Sequence, residues 1–363
     1  MSPAFQLLAA CCRWPADDRR AQAIASIARE IDDWPEVVRL ADRHRVEPLV
    51  AHGLAAAGLA VPPELAAAVT LHRALGLRDM GEALRLAAAF DEAGIAYRFL
   101  KGAPLGVTAY GTPLLKRSWD IDMLVLPDQV VAAAAVLASQ HYVPRMPPRP
   151  LGEEEFKRWS AVSKEAELRA PGGSVLELHW GVSDHPMLLR GLGARSPVRQ
   201  VALLGTHEVA TLADDANLAY LAVHGTAHGW ARLKWLADFN ALLAQAERPD
   251  QLVERARAFG VGRAIDTALA LSRYLFHDVA PACLPPLARL SLAALASDDW
   301  PAIYRLGARI RWRMAPGVRF RFREATIRLR GTLDRVDYPL DPKWQFLYPL
   351  LRAPFWALRK ARR

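Results

Sequence analysis

The sequence predicts an α+β protein, in which a small mixed sheet lies between N- and C-terminal helical regions. Three observations lead there. Residues 1 to about 92 are rich in Ala and Leu, with apolar residues at helical spacing. Two short runs between residues 95 and 126 have aromatic and β-branched strand character, and a hairpin pattern follows at 164–180. Helical periodicity then returns after Trp180.

Phe5, Leu7 and Leu8 mark an amphipathic first helix, and Val37, Val38, Leu40 and Ala41 a later one. Pro62-Pro63 starts a helical stretch from Glu64 to Ala93, as one long helix or two short ones, and Gly94 ends it. Ile95–Leu100 reads as a strand. Lys101-Gly102 opens a short helix to about Tyr110. Asp120–Leu126 reads as a second strand, and Pro127-Asp128 caps a helix to about Ser139. A polar, proline-rich connection spans Pro144 to Pro150. Lys164–Arg169 and Ser174–Trp180 form a hairpin around Pro171-Gly172-Gly173. From there the reading is helical throughout: Asp214–Glu247, Gln251–Phe259, Gly262–Leu275, Pro286–Ala296 and Ala302–Arg313. The expected units are an N-terminal helical region (1–92), an α/β core (93–182), a C-terminal helical domain (183–340) and a basic aromatic tail (341–363).

Just over half of the 363 residues are apolar, an ordinary globular composition. No apolar run reaches the roughly 18 residues that span a bilayer. Leu8-Ala9-Ala10-Cys11 resembles a lipoprotein cleavage box, but no basic residue precedes it and the apolar run is short. Three cysteines, two of them adjacent (Cys11, Cys12, Cys283), argue against a disulfide framework and for a reducing, cytoplasmic setting. The net charge of +9 is concentrated: Arg305 to Arg363 carries 16 Lys and Arg against 4 Asp and Glu.

The chemistry centres on three places. A strand that stops at Lys101-Gly102 and opens into a helix can seat a phosphate on free backbone N–H groups, although a plain turn has the same pattern. Asp120 and Asp122 are two apart, so both leave one face of their strand. Two such carboxylates at the rim of an apolar strand repel each other unless a cation lies between them, and magnesium takes such ligands. Glu177 and His179 share a face of the hairpin arm, while Leu176 and Leu178 share the other. Glu177 suits a third metal ligand or a general base, against an ordinary exposed strand residue. His179 suits a hydrogen-bonded structural role or a ligand. Arg117 can contact a triphosphate or pair with a carboxylate.

Lys101-Gly102, Tyr110, Arg117-Ser118-Trp119-Asp120-Ile121-Asp122 and Glu177-Leu178-His179-Trp180 resemble a bacterial family of uncharacterised nucleotidyltransferases within the DNA-polymerase-β-like superfamily. The likeness extends to His224–Asp238. It implies two-metal transfer of a nucleotidyl group from a nucleoside triphosphate. Asp120, Asp122 and Glu177 would be catalytic metal ligands, with magnesium, or manganese in its place. Lys101, Gly102, Arg117, His179, His224 and His228 would form the nucleotide site. The superfamily's Gly-Ser turn is Lys101-Gly102 here, with Ala103 where a serine would bind phosphate, so the donor's identity stays open between a triphosphate and a nucleotide sugar.

His224, His228, Ala231, Trp235 and Asp238 fall on one stripe of a continuous helix. The stripe can bind a transition metal, line the nucleotide cleft, or pack the helical domain on the sheet. Gly225 and Gly229, four apart, allow another backbone close. The basic segment contains Arg305, Arg309, Arg311, Arg313, Arg319, Arg321, Arg323, Arg328 and Arg330. Trp344, Phe346, Tyr348, Phe355 and Trp356 then interleave with Arg352, Arg359, Lys360, Arg362 and Arg363. That end can dock on the core, lie on a membrane surface peripheral to the inner membrane, or meet nucleic acid, the last being disfavoured by the near-neutral remainder of the chain. Pro349 and Pro354 are expected to interrupt any long helix there. Expected partners are a nucleoside triphosphate and an unidentified acceptor. A non-catalytic binding module is the contrasting reading, and the intact carboxylate set argues against it.

Overall fold

The computed structural model describes residues 1–205, 207–277, 284–329 and 332–361. Cys283, Arg330, Arg362 and Arg363 lie outside them. The N-terminal helices are Pro3–Cys12, Asp18–Ala28, Trp34–His44, Glu47–Ala56 and Pro63–Glu92. Phe5, Leu7 and Leu8 are buried, as the amphipathic reading requires. The stretch after Pro62 is one 30-residue helix, and Gly94 leaves it with φ +64°.

The described strands are β1 (Tyr97–Phe99), β2 (Ile121–Val125), β3 (Val143–Met146), β4 (Glu165–Arg169), β5 (Val175–His179), β6 (Val198–Leu203) and β7 (His207–Leu212). They form one mixed sheet in the order β3-β4-β5-β2-β1-β7-β6. β2 runs parallel to β5, and β1 parallel to β7; the other neighbours are antiparallel. Three strands depart from the sequence reading. β3 lies partly in the proline-rich connection; as an edge strand it accommodates Pro144, whose missing N–H no partner needs. β6 and β7 fall where the chain was expected to stay helical. Val201, Leu203, Val209 and Leu212 are buried at strand spacing, but exposed Arg199, Gln200, His207 and Glu208 hide the alternation. Leu204 (φ +48°) and Gly205 (φ +93°) turn one strand toward the next.

The sheet has a core on each face. Ile121, Met123, Val125, Leu176 and Leu178 pack with Leu86, Phe90 and Leu137 of the helices Pro63–Glu92 and Val130–Ser139. Leu124, on the opposite face, joins Leu105 of the helix Gly102–Tyr110 and Leu218 of the helix Asp214–Ala227. That second core runs on into Leu7, Leu8 and Val37, so the two flanking helical regions share one interior. Each fully buried leucine contributes about 1.5–3 kcal/mol relative to exposure. Asp122, Glu177 and His179 alternate with the first core's residues and therefore face the second.

The helix expected over Asp214–Glu247 is two, Asp214–Ala227 and Leu233–Ala244. Gly229 (φ +66°) and Trp230 (φ +51°) reverse the chain, and the Trp230 N–H donates to Gly225 O at 2.7 Å. The Trp230 indole then folds over Gly225, where an added Cβ would lie 2.4 Å from the ring. Gly225 therefore accommodates a side chain rather than another backbone. Gly229 does meet backbone, with its Cβ position 3.6 Å from Gly307 Cα. Burial of Trp230 outweighs the local helical pattern.

The later helices are Pro249–Arg257, Gly262–Phe276, Pro286–Leu295, Trp300–Arg311, Val318–Leu329, Thr332–Asp337 and Tyr348–Ala361. The last runs through Pro354, contrary to the expected interruption. Tertiary contacts hold it: Phe355 stacks on Tyr338 at 4.5 Å, and Arg359 bonds Asp334 at 2.5 Å. Trp344, Phe346, Leu350 and Trp356 remain exposed beside it. Among the described residues no helix is long and apolar enough to cross a membrane.

Candidate active site

Strand register assembles the centre. β2 and β5 place Asp122 beside Glu177 and Leu124 beside His179. β4 places Glu165 opposite His179. The Leu100 N–H donates to Asp122 O at 3.1 Å, which brings the next residue, Lys101, to the same spot. Asp122 Oδ1 receives Lys101 Nζ at 2.9 Å and His179 Nε2 at 3.2 Å. His179 Nε2 lies 3.3 Å from Glu177 Oε2, and its Nδ1 lies 3.0 Å from Glu165 Oε2. The other oxygen of Asp122, Oδ2, is buried and has no hydrogen-bond partner among the described residues. One ligand atom each from Asp122, Glu177 and His179 falls within a 4.8 Å group. Asp120 stands one residue before β2 on the same cavity, outside that group.

Charge state follows from these contacts. Burial works against ionising Lys101, but Asp122 outweighs it and holds the ammonium well above its ordinary pKa. Burial likewise opposes His179, yet Asp122, Glu165 and Glu177 raise it to about 10, so it is an imidazolium. Burial would raise Asp122; Lys101 and His179 hold it well below the usual range. Glu177 goes the other way. Burial raises it, the His179 hydrogen bond opposes, and Asp122 and Asp120 reinforce the rise.

The centre opens onto a cavity of about 800 Å³. Lys101 and Gly102 sit at its edge. Gly102 has φ +68°, and among the described residues no side chain caps the helix it starts, so the first-turn N–H groups are free to meet an anion. The facing wall carries Tyr220, His224, His228 and Trp235. Although the helix breaks before His228, the grouping of the stripe survives: His224–His228, His224–Trp235 and His228–Trp235 ring centroids lie 4.6, 5.6 and 5.2 Å apart. Burial, then Lys101, keeps His224 well below the usual histidine pKa. His228 opens onto the cavity, and the protein surrounding that opening lowers it to about 4. Both rings are therefore neutral at pH 7.

Arg117 takes the second of its two expected roles. It is buried, pairs with Glu47 and with Asp42 at 2.9 Å, and points toward the N-terminal helices, not into the cavity. Several cavity residues were not singled out from sequence. Glu165 was findable by counting back along the hairpin from its turn, since the pairing Leu168–Leu176 sets Glu165 against His179. Tyr220 and Lys234 had no local signal. Lys234, lowered to about 7 by burial and then by Lys116, donates to Arg117 O at 3.3 Å. Arg311, Arg323 and Arg328 of the basic segment also line the cavity.

The model of a family described as uncharacterised nucleotidyltransferases matches residues 30–277. The chain belongs to that nucleotidyltransferase family. A search of curated proteins found no match. The family span contains Lys101, the carboxylate centre and the histidine wall. The basic segment lies beyond it.

Proposed function

We propose that this nucleotidyltransferase is metal-dependent and moves a nucleotidyl group from a nucleoside triphosphate to a hydroxyl or phosphate of a small molecule, peptide or protein, by the chemistry of the DNA-polymerase-β-like superfamily. One observation carries the reading: the buried Oδ2 of Asp122, without a hydrogen-bond partner among the described residues, in a group with Glu177 and His179. A buried carboxylate oxygen without a donor is costly, and a cation relieves it. The donor set is mainly oxygen, which suits magnesium or manganese. Asp120, Asp122 and Glu177 would hold the metal. Bound there, it would lower the pKa of the acceptor hydroxyl and neutralise the leaving pyrophosphate.

The chain's own groups have separate tasks. Lys101 and the N–H groups of the helix starting at Gly102 would receive the triphosphate oxygens. Neutral His224 and His228, with Trp235, would line the base and ribose without repelling the metal. Glu177, with its raised pKa, is suited to accept the acceptor's proton as well as to bind metal. His179 holds the carboxylates at fixed spacing. Buried, free Cys11 and Cys12 suit a cytoplasmic setting.

The test is calorimetric titration with the four nucleoside triphosphates, with and without magnesium, of wild type and Asp120→Asn. Asp120 is chosen because, among the described residues, no buried ion pair depends on it, unlike Asp122. Magnesium-dependent binding that the variant loses is the expected result. Failure of every triphosphate to bind would overturn the reading.

A further inference from the structure

We infer that Arg311, Arg323 and Arg328 form a binding site for an oxyanion, a phosphate or carboxylate group, carried by the acceptor. This rests on the nucleotidyltransferase reading of the same cavity.

The cavity is electrically polarised. Its lining from residues 101–185 contributes three lysines and the His179 imidazolium against five carboxylates. Its lining from residues 311–335 contributes four arginines against one glutamate. Glu324 cannot compensate Arg311, Arg323 and Arg328 together: Arg328 Nε takes it at 2.6 Å, and Arg311 Nε stands 4.0 Å away. Arg311 Nε is buried without a hydrogen-bond partner among the described residues. Arg323 makes no ion pair with any described residue. Guanidinium groups in surplus at a cavity wall are matched to oxyanions, which accept two parallel N–H bonds from one fork.

The wall is fixed in place relative to the carboxylate centre. Arg311 Nη1 donates to Ala227 O at 2.8 Å, at the end of the helix that carries His224. Phe320 stacks on His185 at 3.9 Å, and its carbonyl lies 3.2 Å from His185 Nε2. These contacts seat the helix Val318–Leu329 over the cavity.

One argument assigns the arginines to the acceptor: in the proposed reading the donor's phosphates already have Lys101, the Gly102 helix end and the metal centre, which leaves the arginine wall for the second substrate.

The experiment titrates full-length protein with inorganic phosphate and with acetate. Each is added alone and after saturation with a non-hydrolysable nucleoside triphosphate and magnesium. Phosphate, acetate or both should bind the nucleotide-loaded protein. Arg323→Ala should weaken that binding roughly tenfold or more while leaving triphosphate affinity unchanged. Arg323 is exposed, so this variant folds; Arg328→Lys, which keeps a cation beside Glu324, should weaken it less. Stronger phosphate binding would name a phosphorylated acceptor, and binding of both anions alike a carboxylate-bearing one. Two results would overturn the inference: neither anion binds, or phosphate competes with the triphosphate and Arg323→Ala weakens the triphosphate. If no triphosphate binds but arginine-dependent phosphate binding persists, the nucleotidyltransferase reading fails and the oxyanion site stands.

Discussion

Two walls of one cavity hold histidines in opposite charge states. On the sheet, His179 sits among Asp122, Glu165 and Glu177 and is held as a cation. On the facing side, His224 in its helix and His228 just past the helix end sit near Lys101 and are held neutral. Burial opposes protonation on both walls. The sign is decided by neighbours: three carboxylates outweigh burial on the sheet, whereas on the helix a lysine adds to it. Among the histidines, the positive charge is thereby kept beside the carboxylates of the sheet, and His224 and His228 present uncharged aromatic surface.

The strongest way to break this contrast is to remove the acid at its centre. Asp122→Asn and Asp120→Asn should each lower transfer by roughly 10²–10³-fold, as loss of a charge-stabilising group does. The two differ in stability. Asp122→Asn leaves Lys101 and His179 without their shared partner and should cost about 3–5 kcal/mol, whereas Asp120→Asn should melt near wild type. Equal melting temperatures for the two would contradict the buried pairing. Activity assays and thermal melts read both.

Acid should sharpen the contrast from the neutral side. His44 accepts a hydrogen bond from the Leu233 N–H at 3.2 Å, and burial, followed by Arg43, lowers it to about 3. A histidine depressed below its ordinary 6.5 stabilises the fold fully above pH 6.5. That stability drains away as pH falls from about 6.5 toward 3, because only the unfolded chain takes up the proton. The expected slope is up to about 1.4 kcal/mol per pH unit, read from urea midpoints, and His44→Gln should flatten it.

Metal should quiet the acidic wall. Magnesium or manganese should raise the melting temperature in a saturable way, worth about 2.7 kcal/mol at a hundred times Kd. EDTA should reverse the shift, and Asp120→Asn should reduce it. The smallest effect expected concerns how the helical wall is built. Gly225→Ala drives a methyl into the Trp230 ring and should cost about 1–3 kcal/mol in a thermal melt.

How much of this could be read in advance depended on the range of the contacts. The faces of Asp122 and of Glu177 with His179 were legible because a period of two fixes which side chains share a strand face; Asp120 instead stands one residue before β2, outside their group. The hairpin was legible because its turn residues are local. Arg117 was ambiguous: its partners Glu47 and Asp42 lie some 70 residues earlier, in helices whose docking no spacing reveals. The break at Gly229-Trp230 was hidden because a buried indole, not a local propensity, selects it. Strands β6 and β7 were missed because exposed polar residues interrupt their alternation. The arginine wall was least legible. Its residues show only as a charge surplus in sequence, and their position over the sheet is set by distant anchors such as His185 and Ala227.

Those anchors impose an order on synthesis. Chains fold broadly from the N-terminus as they emerge. The sheet, the acidic centre and the neutral histidines can therefore be in place while Val318–Leu329 is still being translated. Until that helix arrives and Phe320 meets His185, the cavity lacks its arginine wall. A nascent chain therefore holds the carboxylate centre and the neutral histidines before it holds the guanidinium groups that stand over them.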